Sequence, residues 1–155
     1  MDLSTWAKIL LGIYAGGLTT YTVIKSNRER RRQLSVSVST GWRQAFHDGS
    51  FSSQFLLITV TNPGNRKVIV NTPYLKFPDG RRLATPVPLS NVRFPYKLEE
   101  GDNCAIWIEM NKVKSSLLKN EYSGIVKLKG EVLDGTNKVY TSKKSCDFNT
   151  DEEYD

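Results

Sequence analysis

FLLITVTN at Phe55–Asn62 is apolar or β-branched on both of its faces, and Pro63-Gly64-Asn65 follows at once. A strand with two faces that want burial belongs inside a sheet, and a Pro-Gly pair straight after it forces a turn. The chain then returns as KVIVNT at Lys67–Thr72. Upstream, LSVSVST at Leu34–Thr40 sets Leu34, Val36 and Val38 on one face and serines on the other, the period of a half-buried strand.

The same rhythm continues downstream. YLKF at Tyr74–Phe77 meets Pro78-Asp79-Gly80, where proline presets φ and glycine accepts a positive one, and Arg81–Leu83 continues beyond. ATPVPLSNVRFP, residues 84–95, carries three prolines and predicts an irregular crossing loop. After a turn at Leu98–Asp102, CAIWIEM puts Cys104, Ile106 and Ile108 on one face. NKVKSSLLKN at Asn111–Asn120 spaces Val113, Leu117 and Leu118 as a helix, with Asn111 as its N-cap. Ile125–Leu133 predicts another strand, Asp134-Gly135 its turn, and Lys138–Ser142 the returning partner. Short strands with turn chemistry between them predict an all-β domain, an antiparallel immunoglobulin-like β-sandwich with one short helix.

The turns Asn62-Pro63-Gly64, Pro78-Asp79-Gly80, Glu100-Gly101-Asp102 and Tyr122-Ser123-Gly124 carry a resemblance. Over residues 34–145 the chain resembles bacterial, often N-terminally membrane-anchored β-sandwich proteins of immunoglobulin or fibronectin-III type, for which no function is assigned. The resemblance implies the fold. It brings no activity and no catalytic residue.

Before this domain, the nineteen residues Trp6–Ile24 carry a single charge, Lys8, and a basic cluster follows: Lys25, Arg28, Arg30, Arg31 and Arg32. Nineteen helical residues span about 28 Å, close to the roughly 30 Å of a bilayer's hydrocarbon. The expectation is a single transmembrane helix over residues 1–25, with Trp6 and Tyr21 at the two interfaces. Lys8 would snorkel outward, and the threonine hydroxyls would bond to carbonyls one turn earlier. The basic linker, 26–33, places the remainder in the cytoplasm by the positive-inside rule and would contact anionic lipid. A cleaved signal would carry its charge before the apolar run. Gly12, Gly16 and Thr20 line up as a small-residue stripe, read either as a homodimer face or as glycine's ordinary frequency in membrane helices.

The formal charge is +6, unevenly spread. Residues 33–146 hold sixteen Lys or Arg against nine acids, whereas 147–155 hold five acids and no base. The domain is thus assigned to 34–146, and the acidic end 147–155 is expected to be a disordered tail. Lys127 and Lys129 alternate on one strand, with Lys138, Lys143 and Lys144 as neighbours, which suits phosphate. Trp42, Phe46, Trp107 and Tyr140 form no stacking pattern beside them, so nucleic acid is the less favoured partner.

Two cysteines and one histidine do not make a zinc site, and no cofactor motif occurs. Cys104 and Cys146 are expected to be reduced in a cytoplasmic domain and able to pair outside one. His47 with Asp48 and Ser50, Ser52 or Ser53 lacks the spatial order of a triad, so no catalysis is expected. The loop GWRQAFHDGSFSS at 41–53 is long and aromatic, and Trp42, Arg43, Phe46, His47, Asp48 and Phe51 form the preferred contact surface. The functional expectation is a membrane-anchored, non-catalytic module for a protein partner. The runner-up is a membrane-surface binder of nucleic acid or another anionic polymer.

Overall fold

The computed structural model describes residues 3–29, 33–44, 51–83 and 89–154 of the 155. Helix α1 (Leu3–Glu29) is followed by strands β1 (Ser35–Gln44), β2 (Phe51–Thr61), β3 (Val68–Val70), β4 (Tyr74–Lys76), β5 (Arg82–Leu83), β6 (Leu89–Ser90), β7 (Tyr96–Leu98) and β8 (Asn103–Glu109). Helix α2 (Met110–Lys119) then leads to β9 (Ile125–Leu133), β10 (Val139–Thr141) and β11 (Cys146–Asn149). The architecture is all-β and antiparallel, with few helices.

One sheet runs β1-β2-β8-β6 and a second runs β10-β9-β4-β5, with β11 also on β9; β3 and β7 form a separate pair. The two-faced apolar run becomes the interior strand β2, flanked by β1 and β8 in the order its composition demands. The inward residues Leu56, Ile58 and Val60 of β2 and Cys104, Ile106 and Ile108 of β8 share one core with Leu75, Val126, Leu128, Val132 and Phe148. Burying a side chain of this size stabilises by about 1.5–3 kcal/mol. At Gly130 the sheets approach so closely that a Cβ would lie 2.6 Å from Val38 Cγ2 and 3.0 Å from Ile58 Cγ2. Gly80, the turn glycine between β4 and β5, adopts φ +88°, as the turn requires.

Four expectations need correction. The first concerns the loop of residues 41–53, much of which is a continuation of the β1–β2 ladder, through pairs such as Trp42 with Gln54 and Gln44 with Phe51. Second, the proline-rich stretch includes β6, which pairs Leu89 with Trp107 and Ser90 with Ile106. Third, α2 starts one residue earlier, with Glu109 at the N-cap, and no side chain caps it. Asn111 is instead turned to the C-terminal segment, its amide donating to the Tyr154 carbonyl at 2.6 Å.

The fourth correction is that segment itself. The acidic end is no disordered tail: Cys146–Asn149 pair with Ile125–Leu128 as β11. Phe148 is fully buried, and Tyr154 packs on it with ring centroids 5.0 Å apart. Tyr154 Oη donates to the Asn149 carbonyl at 2.6 Å, and Lys114 Nζ to the Glu152 carbonyl at 2.6 Å. Two aromatic anchors outweigh the mutual repulsion of acids that remain exposed on the outer side.

At the other end, α1 is a continuous helix of 27 residues, running past Lys25 and Arg28. Thr19 and Thr20 hydroxyls donate to the Gly16 carbonyl and Thr22 to Thr19, as their positions predicted. Yet among the described residues no helix is long and apolar enough to cross a membrane. The stretch Trp6–Ile24 is thus helical as expected, without showing the combination of length and apolarity that a crossing needs. Arg30, Arg31 and Arg32 lie outside the described residues.

Candidate functional site

Strand β9 alternates with a clear division of labour. Val126, Leu128, Gly130 and Val132 point inward and are buried, while Lys127 and Lys129 stand exposed on the outer face beside Glu131. Register then brings distant residues onto that face. Tyr74 of β4 lies opposite Glu131, Lys76 opposite Lys129, and Arg82 of β5 opposite Lys76. Thr141 of β10 flanks Glu131 from the other side.

Glu131 is on the outer face yet fully buried, because these neighbours close over it. Its Oε2 meets Lys76 Nζ at 3.1 Å, and its Oε1 meets Arg82 Nη2 at 2.5 Å. Tyr74 Oη donates to it at 2.8 Å, and Thr141 Oγ1 at 3.2 Å. Burial pushes the Glu131 carboxyl up, but the hydrogen bonds from Tyr74, Lys76 and Arg82 outweigh that and hold it below the usual range. Burial also pushes the Tyr74 phenol up to about 12, helped by its bond to Glu131. The Arg82 guanidinium lies 4.8 Å from the Tyr74 ring centroid, which locks the fork in place.

The cations therefore form one rung across three strands, Arg82–Lys76–Lys129, with Lys127 on the next. Cations directly opposite one another across a ladder repel. Glu131 answers the first two. Asp147 faces Lys127 in the β9–β11 register, but among the described residues neither Lys127 nor Lys129 forms an ion pair. Beside these lysines runs a groove of about 410 Å³, lined also by Lys76, Phe77, Pro78, Thr141 and Ser145. Phe77 is buried, its ring edge-to-face with Tyr122 at 5.3 Å.

Of the contact surface preferred from sequence, Trp42 is the residue whose side chain the structure describes. Trp42 is 60% exposed at the distal end of the β1–β2 hairpin and, with Thr40, Gly41 and Gln54, lines a recess of about 140 Å³. Arg43 and Phe51 fall in β1 and β2. Phe46, His47 and Asp48 lie outside the described residues. Lys127 and Lys129 do share a face as their alternation predicted, whereas Trp107 and Tyr140 are not among the groove's lining residues. The contributions of Tyr74, Lys76 and Arg82 escaped sequence reasoning. Their parity on YLK and RL was visible, but the register that sets them on β9 is not local.

Both cysteines are free. Burial pushes the Cys104 thiol up to about 11, the environment of an inert packed group. Among the described residues no group of three or more His, Cys, Asp or Glu could hold a metal ion. Compared with known families and characterised proteins, the chain matches no family model and no curated protein.

Proposed function

We propose that the chain is a non-catalytic protein-interaction module held at the cytoplasmic face of a membrane by α1 and the basic residues after it, its β domain an immunoglobulin-like sandwich. One observation carries the reading: Leu11, Ile13, Tyr14, Leu18, Tyr21 and Val23 are all at least 48% exposed. Apolar side chains distributed around a helix in this way cost free energy in water, and lipid or a second helix removes that cost. Gly12 and Gly16 leave open space along α1, so a second copy could approach closely there. The basic flank supplies attraction to anionic lipid and the cytoplasmic orientation. The β domain, with a core of its own, is then a rigid platform whose local concentration is raised by confinement.

The test is flotation of the full chain with vesicles containing anionic lipid, followed by alkaline extraction. Co-flotation that is lost in an Ile13→Glu/Leu18→Glu variant is the expected result. A chain that stays at the bottom of the gradient refutes the membrane reading. A stoichiometric protein captured from solubilised membranes would name the partner.

A second reading, a binder of nucleic acid or another anionic polymer, draws support from the convergence of Lys76, Lys127 and Lys129. Single-stranded binders, however, pair such charge with exposed aromatic faces, and the groove's one ring is already covered by Tyr122.

A further inference from the structure

The rung Arg82–Lys76–Lys129 is a structure that repels itself, and one of its three cations is unanswered. Glu131 is spent on Lys76 and Arg82, inside a closed network with Tyr74 and Thr141. Lys129 and Lys127 project from alternate positions of one flat strand, about 6.8 Å apart along it. Both are exposed, and both border a concave groove that falls within the roughly 300–1,000 Å³ typical of ligand sites. The break between β10 and β11, residues 142–145, is held open by Ser142. Its hydroxyl accepts from the Gly130 amide at 3.1 Å and donates to the Lys144 carbonyl at 2.8 Å. This bulge sets Ser145 at the groove's edge and leaves Lys143 and Lys144 exposed beside it. Residues from four separate segments thus focus positive potential on one slot.

We propose that this groove binds an extended acidic polypeptide segment of the partner, with alternate carboxylates taken by Lys127 and Lys129. The proposal rests on the interaction-module reading and names the chemistry of its partner. Three features favour a polypeptide. Acids at every second position of an extended chain repeat at the spacing of the two lysines. Pro78 gives an apolar contact for the intervening side chains, while Ser145 and the hydroxyl oxygen of Thr141 can hydrogen-bond a backbone. A flat lipid surface would not enter a concave slot, and no exposed ring is present in it on which a base could stack.

The experiment is fluorescence anisotropy on the full chain in non-ionic detergent, with a labelled (Asp-Thr)6 peptide as the probe. A twelve-nucleotide oligo(dT) and phosphatidylserine vesicles serve as competitors. The wild type should bind the peptide saturably, and Lys127→Ala/Lys129→Ala should weaken it by about tenfold or more. Lys112→Ala/Lys119→Ala removes the same charge from α2 and should change affinity less than twofold. Equal loss in both double variants would reduce the effect to net charge and overturn the site. Absence of peptide binding, or displacement by oligo(dT) or vesicles at lower concentration than by unlabelled peptide, would overturn it too. Flotation reads α1 and anisotropy reads the groove, so failure of one leaves the other result standing by itself.

Discussion

Gly130→Ala is the sharpest test of how the two sheets meet. The added methyl would sit 2.6 Å from Val38 Cγ2, 3.0 Å from Ile58 Cγ2 and 3.2 Å from Val36 Cγ1. Carbon atoms pack comfortably at about 3.5–4.0 Å, so the sheets must part by roughly 1 Å at this point or the valines must leave their rotamers. Valine and isoleucine are stiff at χ1, which closes the cheap route. Overpacking of this kind costs about 1–3 kcal/mol, and loss of glycine's unfolded-state freedom returns about 0.4–1 kcal/mol. A net loss of about 1–2 kcal/mol is expected, read by urea denaturation with the domain's tryptophan fluorescence. Val38→Ala removes the nearest obstacle, so in the double variant most of the Gly130→Ala cost should vanish. If Gly130→Ala is neutral or stabilising, or if Val38→Ala fails to relieve it, β9 and β1 do not approach as described.

Other perturbations reach other parts of the fold. Asn62 is buried, and its amide donates to the carbonyls of Arg66 at 2.7 Å, Glu99 at 3.0 Å and Leu98 at 3.2 Å. Asn62→Ala should cost about 2–3 kcal/mol in denaturant titration, and Asn62→Asp at least as much, since three carbonyl oxygens would face a carboxylate. Because the folded Glu131 carboxyl sits below its ordinary value, its contribution is present above about pH 4.3 and is lost as pH falls through the folded value. Glu131→Gln should therefore cost about 2–3 kcal/mol at pH 7, with the gap to wild type narrowing below about pH 4; the side chains of Lys76 and Arg82 keep some water, which holds the cost under the full figure for a buried pair. Tyr154→Ala should cost about 3 kcal/mol and speed proteolysis at residues 150–154, whereas a loose tail would show neither.

How far this was legible depends on whether the signal was local. The interior position of β2, the inward face of β8 and the extent of β9 follow from apolar parity along one strand, and each lies where its pattern put it. β6 and β7 have two and three residues, too few to show any period. The C-terminal segment was misread because five acids dominate its average, while Phe148 and Tyr154, only two residues, carry its packing. The lysine pair of β9 was visible as an alternation. Its partner Lys76 lies 53 positions earlier, and only a register between β4 and β9 brings it alongside. That register is set by the whole core, which no short window contains.

The docking of β11 and Tyr154 has a consequence for the order in which the molecule assembles. The core includes Phe148, so the domain cannot close until its last strand, β11, has emerged from the ribosome. Helix α1 emerges before that strand, and it meets its surroundings attached to a domain whose fold is still incomplete. A stall before Phe148 would therefore leave a finished helix attached to a β domain that cannot close.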